Sequence, residues 1–303
     1  MKVSIISPVY FAAKILPQLA KAVDEVFKST KLNYELILVD DGSTDNSWGV
    51  IEELKQKFPS IIGIKLSRNF GQHYALTAGI QKSSGDVNVI IDCDLQDPPT
   101  NIPLLLEQYE KGYDIVFTKR NARKHGALKS FMTYLFNRSF RFFSDQNFEI
   151  NVGTMLLFSA KAKSAFLQLE DYDRLYLQLF KWIGFKNTSV TVEHAERASG
   201  KSTYTFSKLL ALAIQGFTSF SNKLLKISIA IGLFFSLFSF LSILSIFYLN
   251  IRYGLQSGWP SIISVIFFCT GIILLSLGIH GLYIGKIFTQ VKNRPLYIIE
   301  KEV

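Results

Sequence analysis

The amino-acid sequence predicts an α/β domain with a mostly parallel sheet covered on both faces, followed by a hydrophobic two-helix hairpin. Short β-branched runs alternate with helical patterns along the N-terminal part of the chain. Two of those runs end in clustered carboxylates. Two stretches near the C-terminus, Ile227–Leu249 and Trp259–Gly285, carry no charged residue.

Val3–Ser7, Glu35–Val39, Ile61–Leu66, Val87–Ile91 and Ile115–Thr118 read as strands. Helical patterns fit between them, around Ala13–Ser29, Ser47–Phe58, Gln72–Lys82 and Ile102–Lys111. In an open parallel sheet, ligands bind beyond the C-terminal ends of the strands, so the polar residues there matter most. Glu35–Val39 runs into Asp40-Asp41-Gly42-Ser43-Thr44-Asp45. Val87–Ile91 runs into Asp92-Cys93-Asp94-Leu95-Gln96-Asp97-Pro98-Pro99. Alone, each is an ordinary strand-end turn, the first also a helix cap. Together they bring carboxylates to one rim.

Each uncharged stretch exceeds the roughly 20 residues that a helix needs to cross a bilayer. Lys223 and Lys226 precede the pair and Lys286, Lys292 and Arg294 follow it, whereas the intervening Asn250–Gly258 loop has only Arg252. By the positive-inside rule both chain ends are expected in the cytoplasm of a multi-pass inner-membrane protein. The expected organisation is a cytosolic domain over 1–205, an interfacial helix over 206–224, a hairpin over 225–286 (spans near 227–249 and 260–285) and a cytosolic tail over 287–303. The opening Met1-Lys2 runs into an apolar stretch too short for a signal peptide.

Composition agrees with this division. Hydrophobic residues make up 49% of the 303 residues and charged residues 19%, and the mean hydropathy is +0.23, which excludes a disordered chain. Two Cys exclude a disulfide scaffold. The net charge of +9 suggests an anionic partner. The basic stretch Lys119-Arg120-Asn121-Ala122-Arg123-Lys124-His125 fits anionic lipid and lipid phosphate better than nucleic acid in an anchored protein, so no nucleic-acid partner is expected. His73, His125, His194 and His280 lack metal-ligand spacing. Ser207–Asn222 is amphipathic, and fits a headgroup-plane helix and a docking helix equally well.

Carboxylates two apart after a strand can converge on a hard cation such as Mg²⁺ or Mn²⁺, which takes oxygen ligands and bridges to substrate phosphates. Asp92 and Asp94 suit that role, with Gln96 or Asp97 beside them and Cys93 as a packing residue.

Ser7-Pro8-Val9-Tyr10 and the two acidic segments resemble the family-2 glycosyltransferases of GT-A fold. Asn69-Phe70-Gly71-Gln72 and the closing helix pair bring the resemblance to the polyprenyl-phosphate glycosyltransferases, over essentially the whole chain. It implies a hexosyltransferase that moves sugar, with inversion, from a nucleotide sugar to polyprenyl (undecaprenyl) phosphate at the lipid bilayer. UDP-glucose is the donor the resemblance favours, with another UDP-hexose next and GDP-mannose after it. It implies a base pocket lined by Pro8 and Tyr10, and Asp40 and Asp41 near base and ribose. It further implies Mg²⁺ or Mn²⁺ on Asp92, Asp94 and Gln96, and Arg120 on donor phosphate. Arg197-Ala198-Ser199-Gly200-Lys201-Ser202-Thr203-Tyr204 resembles a premembrane segment of this subgroup, so Arg197, Lys201 and Ser202, with Arg123, are expected at the acceptor phosphate.

Two departures stand out. Asn151 occupies the place where the subgroup often has Asp, and the cation of its Ser-Lys-Tyr segment is moved to Lys201. A phosphomonoester has a second pKa of about 6, so this acceptor needs no base, and Asn151 is expected to position rather than deprotonate. A different lipid acceptor such as diacylglycerol, or a non-catalytic scaffold of the same fold, are the rival readings; a homo-oligomer is left open. Gln178-Leu179-Phe180-Lys181-Trp182 nearly matches the Gln-x-x-Arg-Trp signature of processive synthases, and here reads as helix packing.

Overall fold

The computed structural model describes residues 1–120, 152–192, 223–253 and 258–303. The chain forms two compact units, one of residues 1–124, 149–202 and 294–303, the other of 125–148 and 203–293.

The first unit is built on an eight-stranded sheet of order β7-β5-β6-β4-β1-β2-β3-β8. Strands β1 (Lys2–Val9), β2 (Asn33–Asp40), β3 (Ile61–Leu66), β4 (Val87–Ile90) and β5 (Ile115–Arg120) match the five runs read from sequence. Strands β6 (Val152–Ser159), β7 (Asn187–Val192) and β8 (Ile299–Glu302) were not legible there. β1, β2, β3 and β4 run parallel, and β6 is antiparallel to both β4 and β5. Seven of the eight residues of β1 are buried, as expected for a central parallel strand covered on both faces.

Helices α1 (Leu16–Thr30), α2 (Ser47–Lys57), α3 (Gln72–Lys82) and α4 (Ile102–Glu110) fall where the periodicity placed them, and α5 (Ala160–Gln168) and α6 (Tyr176–Trp182) follow β6. Leu16, Leu19, Val23, Ile51 and Leu105 from α1, α2 and α4 pack with Val3, Ile5, Leu36 and Val89 on one face. On the other, Phe166 stacks on Phe180 at 4.7 Å, and Phe180 meets Phe158 of β6 at 4.3 Å. Leu179 and Phe180 are buried, which makes the near-match to the synthase signature a packing segment, although Trp182 stays 63% exposed.

The segment read from sequence as a tail supplies β8. It pairs antiparallel with β3. Gly63 N–H donates to Val303 O at 2.9 Å, Val303 N–H returns a bond to Gly63 O at 3.0 Å, and Ser67 N–H donates to Ile298 O at 2.9 Å. Lys65 pairs with Glu300 at 3.1 Å and Lys82 of α3 with Glu302. Tyr297 donates to Gln81, also on α3.

In the second unit the described residues form two long helices, α7 (Lys223–Tyr253) and α8 (Trp259–Val291). Both are long and apolar enough to cross a membrane, and their apolar side chains are largely exposed. They pack antiparallel: Ser228 and Ser276 share a hydrogen bond of 2.7 Å, and the Phe235 and Phe268 rings lie 5.3 Å apart.

Deleting residues 298–303 removes the acceptors of the Gly63 and Ser67 amides. Native-state hydrogen exchange should then accelerate at both, by on the order of 100-fold, while amides of β1 keep their protection. Unchanged exchange at Gly63 would contradict the pairing.

Candidate active site

Strand order locates the candidate site before any side chain is considered. β1 has β2 on one side and β4 on the other, so the chain winds outward in both directions from β1. Such a switch point opens a crevice beyond the carboxyl ends of the strands. The β1–β4 ladder covers only Val3–Ile6, extended by Ile91 N–H to Ile6 O at 3.0 Å. Pro8 follows, with no N–H to continue it. Against β2 the pairing runs on to Val9 and Asp40, with Asp41 N–H bonded to Val9 O at 2.9 Å. The end of β1 is therefore held to β2 and released from β4.

Asp40 is fully buried. Its Oδ1 accepts from Ser43 N–H at 3.1 Å, and its Oδ2 has no partner among the described residues. Burial raises its carboxyl pKa, and the bonds from Ser43 and the charge of Lys65 only partly oppose that. Asp41, 3% exposed, accepts from Phe70 N–H at 2.8 Å on one oxygen and Gly71 N–H at 2.9 Å on the other. Gly42, at φ +66°, lets the turn press onto the Arg68–Asn69 backbone, where a Cβ would stand 2.4 Å from Arg68 C.

The same turn organises the end of β1. Ser43 Oγ accepts from Phe11 N–H at 3.1 Å and Ser47 Oγ from Ala12 N–H at 3.0 Å. Tyr10 and Phe11 project from it, 51% and 53% exposed, their rings edge-to-face at 4.5 Å. Phe11 adopts φ +53°, a left-handed conformation that costs a non-glycine residue about 1 kcal/mol or more. An exposed aromatic pair at this strand end is suited to packing against a flat ring. Tyr10 is among the residues that the resemblance assigns to the base pocket; Phe11 was not singled out from sequence.

At the end of β4, Asp92, Asp94 and Gln96 are all partly exposed. Gln72 Nε2 donates to Asp92 Oδ1 at 2.9 Å, and Gln96 N–H to Asp94 Oδ1 at 3.1 Å. Cys93 and Leu95 pack against the core and anchor the loop, with Leu95 at φ +58°. Burial, with Asp92 and Asp94 adding to it, pushes the Cys93 thiol up to about 12, so this residue is a protonated packing group. Asp97 is buried, and its Oδ2 accepts from Thr154 Oγ1 at 2.9 Å. Tyr176 OH donates to Thr154 O at 2.7 Å, and its ring lies 5.7 Å from His73.

No group of three or more His, Cys, Asp and Glu gathers in metal-binding geometry among the described residues. Asp92 and Asp94 are two hard carboxylate donors, with the Gln96 amide two residues further along the chain. This donor set fits Mg²⁺ or Mn²⁺ completed by water and substrate phosphate, the usual arrangement for those ions.

Of the residues singled out from sequence, Pro8, Tyr10, Asp40, Asp41, Asp92, Asp94 and Gln96 fall at the ends of β1, β2 and β4. Arg120 ends β5, in register with Val192 of β7. Arg123, Asn151, Arg197, Lys201 and Ser202 lie outside the described residues, as does the amphipathic Ser207–Asn222. Gln72 and Thr154, which bond the rim carboxylates, and His73 and Tyr176 behind them were not singled out from sequence as site residues; their partners are distant in the chain.

The architecture and rim define an α/β domain with paired carboxylates at a topological switch point. The sequence model of glycosyl transferase family 2 matches residues 4–164. The chain is 36% identical over 300 residues to the uncharacterized glycosyltransferase YkcC of Bacillus subtilis (strain 168), covering 98% of this chain and 93% of that protein. It is 35% identical over 303 residues to the SfII prophage-derived bactoprenol glucosyl transferase of Shigella flexneri, covering 99% and 98%. Among solved structures, the mannosyltransferase PcManGT from Pyrobaculum calidifontis, in complex with GDP-Man and Mn²⁺, matches with a TM-score of 0.49 at 16% identity, over 72% of this chain and 62% of that one. The chain belongs to glycosyl transferase family 2. It is a glycosyltransferase with a GT-A-like catalytic domain.

His73 gives the rim region a pH signature. Burial pulls its imidazole down to about 4, with Asp173 opposing, and its Nδ1 has no partner among the described residues. An unfolded histidine titrates near 6.5. The unfolded chain thus binds the extra proton between about pH 6.5 and 4, and stability falls as pH drops through that window, by roughly 2–3 kcal/mol at most. His73→Phe should flatten this part of the stability curve, measured by denaturation at pH 7 and pH 5. An unaltered difference between the two pH values would contradict a buried neutral imidazole.

Proposed function

We propose that this glycosyltransferase moves a sugar, with inversion, from a nucleotide sugar to the phosphate of a membrane polyprenyl lipid, undecaprenyl phosphate, with UDP-glucose as the donor. The observation that carries the reading is the full-length likeness to a protein named as a bactoprenol glucosyl transferase, which covers 99% of this chain, acidic rim and paired helices included.

In this reading Pro8, Tyr10, Asp40 and Asp41 receive the base and ribose. Asp92 and Asp94, with Gln96, hold Mg²⁺ or Mn²⁺ against the donor diphosphate. A divalent ion there supplies positive charge to the departing nucleoside diphosphate. Arg120 meets donor phosphate, and Arg123, Arg197, Lys201 and Ser202 receive the acceptor phosphate. The acceptor oxygen is already largely anionic at neutral pH, given its second pKa of about 6. The protein's task is to bring two anions together and in line with the anomeric carbon, and guanidinium forks do so by charge and geometry. Asn151 positions and takes no proton.

The proposed topology is a two-span hairpin in the bacterial inner membrane with the catalytic domain and both chain ends cytoplasmic. The return of the chain after α8 to pair β8 with β3 supports it, because an even number of crossings brings the chain back to the side it left. The flanking cations, Lys223, Lys226, Lys286, Lys292 and Arg294 against Arg252 alone in the loop, support the orientation.

Purified full-length protein, incubated with undecaprenyl phosphate, Mn²⁺ and a panel of nucleotide sugars, should yield a lipid whose mass is that of a hexosyl phosphodiester. Mild acid should release its sugar. An acid-stable glycolipid would instead indicate a hydroxyl acceptor such as diacylglycerol, and no transfer from any donor would favour a non-catalytic scaffold. Asp94→Ala should lower transfer at least about 1000-fold with expression retained. Activity indifferent to EDTA would sink the metal assignment.

A further inference from the structure

We propose that Gln72 is a positioning residue for Asp92, and that the first turn of α3 sets how tightly the rim holds its divalent cation. This rests on the reading above in which Asp92 and Asp94 bind that cation beside the donor diphosphate.

Three consecutive residues entering α3 reach both acidic motifs. Phe70 and Gly71 give their backbone N–H groups to the two oxygens of Asp41, at 2.8 and 2.9 Å. Gln72 gives its side-chain Nε2–H to Asp92 Oδ1 at 2.9 Å. Gly71 sits at φ +111°, a backbone state that glycine adopts without the Cβ penalty. The bend at Gly71 lets backbone donors serve one carboxylate and the next side chain serve the other.

A carboxylate on a loop rotates about its side-chain torsions, and a cation that binds it must freeze that rotation. A hydrogen bond to one oxygen freezes it beforehand and leaves lone pairs for the metal. The chemistry of the donor matters. Lys or Arg at this place would compete with the cation by charge, whereas a primary amide supplies a directed N–H with no net charge. The amide also stands on a fixed element. Ala75 to Ile80 of α3 are buried against the sheet, and its far end is held by the Gln81–Tyr297 and Lys82–Glu302 contacts. Sites held by packed helices keep their geometry better than sites held by loops alone. The side chain of Gln72 is exposed, so its replacement does not open the core.

The test uses purified full-length protein and titrates Mn²⁺ against UDP binding by calorimetry, with GDP in parallel. In the native protein Mn²⁺ should tighten nucleotide binding. Gln72→Ala and Gln72→Met, the second nearly isosteric, should each raise the Mn²⁺ concentration for half effect by about 10- to 100-fold, the usual cost of losing a group that orients a metal ligand. Metal-free UDP binding and the thermal midpoint should stay as in the native protein. An unchanged Mn²⁺ requirement in both variants overturns the proposal. So does an equal weakening of UDP binding with and without metal, which would make Gln72 a direct nucleotide contact. A native protein whose binding of both nucleotides ignores Mn²⁺ removes the cation reading itself. That failure is distinguishable because it appears before any substitution.

Discussion

A carboxylate taken out of water has to find hydrogen-bond donors for its oxygens, and Asp41 finds them in the backbone of Phe70 and Gly71. Much of the rim is arranged around that requirement. The turn after β2 must lie close enough to the segment before α3 for both bonds to form, which is why residue 42 lacks a Cβ. The same contact fixes where α3 starts, and so brings Gln72 to Asp92. Ser43, one residue past the glycine, holds the end of β1 through Phe11 N–H. Asp41 therefore ties the ends of β1 and β2 to the segment that starts α3. A neutral residue of similar shape would leave one amide short of a charge-assisted acceptor.

The electrostatic problem of the site follows from its own composition. Asp40, Asp41, Asp92, Asp94 and Asp97 stand around a crevice proposed to take a dianionic diphosphate and an anionic lipid phosphate. Apart from Asp40, buried with one oxygen unpartnered among the described residues, the fold separates these carboxylates into two kinds. Asp41 and Asp97 are buried and bonded to protein donors, Phe70 and Gly71 for one, Thr154 for the other. Asp92 and Asp94 remain partly exposed. In the proposed reading the second kind takes the cation, which would convert a repulsive rim into one that accepts phosphate. Near-uniform acidity in sequence thus becomes a division of labour in space.

How much of this was legible depended on the range of the interactions. Strands β1 to β5 and helices α1 to α4 could be read because each carries a local signal, a buried apolar run or a 3.6-residue period. The acidic motifs could be read because a strand end and a cluster of Asp are adjacent in the chain. β8 could not: Ile299–Glu302 has one apolar residue followed by three charged ones, and its partner lies some 235 residues earlier at Lys65. β6 and β7 are completed by antiparallel and long-range parallel pairing to β5. The Gln72–Asp92 and Asp97–Thr154 bonds span 20 and 57 residues. Nothing local to Gln72 or Thr154 announces the carboxylate that each of them bonds.

The return strand gives the apolar hairpin a structural consequence for the catalytic domain. An exposed edge at β3 would be a site for unwanted pairing, and the chain covers it with a segment available only after both long helices have been made. Lys65 sits in register with Asp40 on one side and Lys301 on the other, and its ammonium pairs with Glu300 while its charge favours ionised Asp40. Glu302 and Tyr297 hold the far end of α3, whose near end carries Gln72. The last seven residues therefore brace both acidic motifs indirectly, through β3 for Asp40 and through α3 for Asp92. A catalytic unit cut before the hairpin lacks that brace, so in this fold the apolar helices are inserted into the domain's connectivity rather than appended to its end.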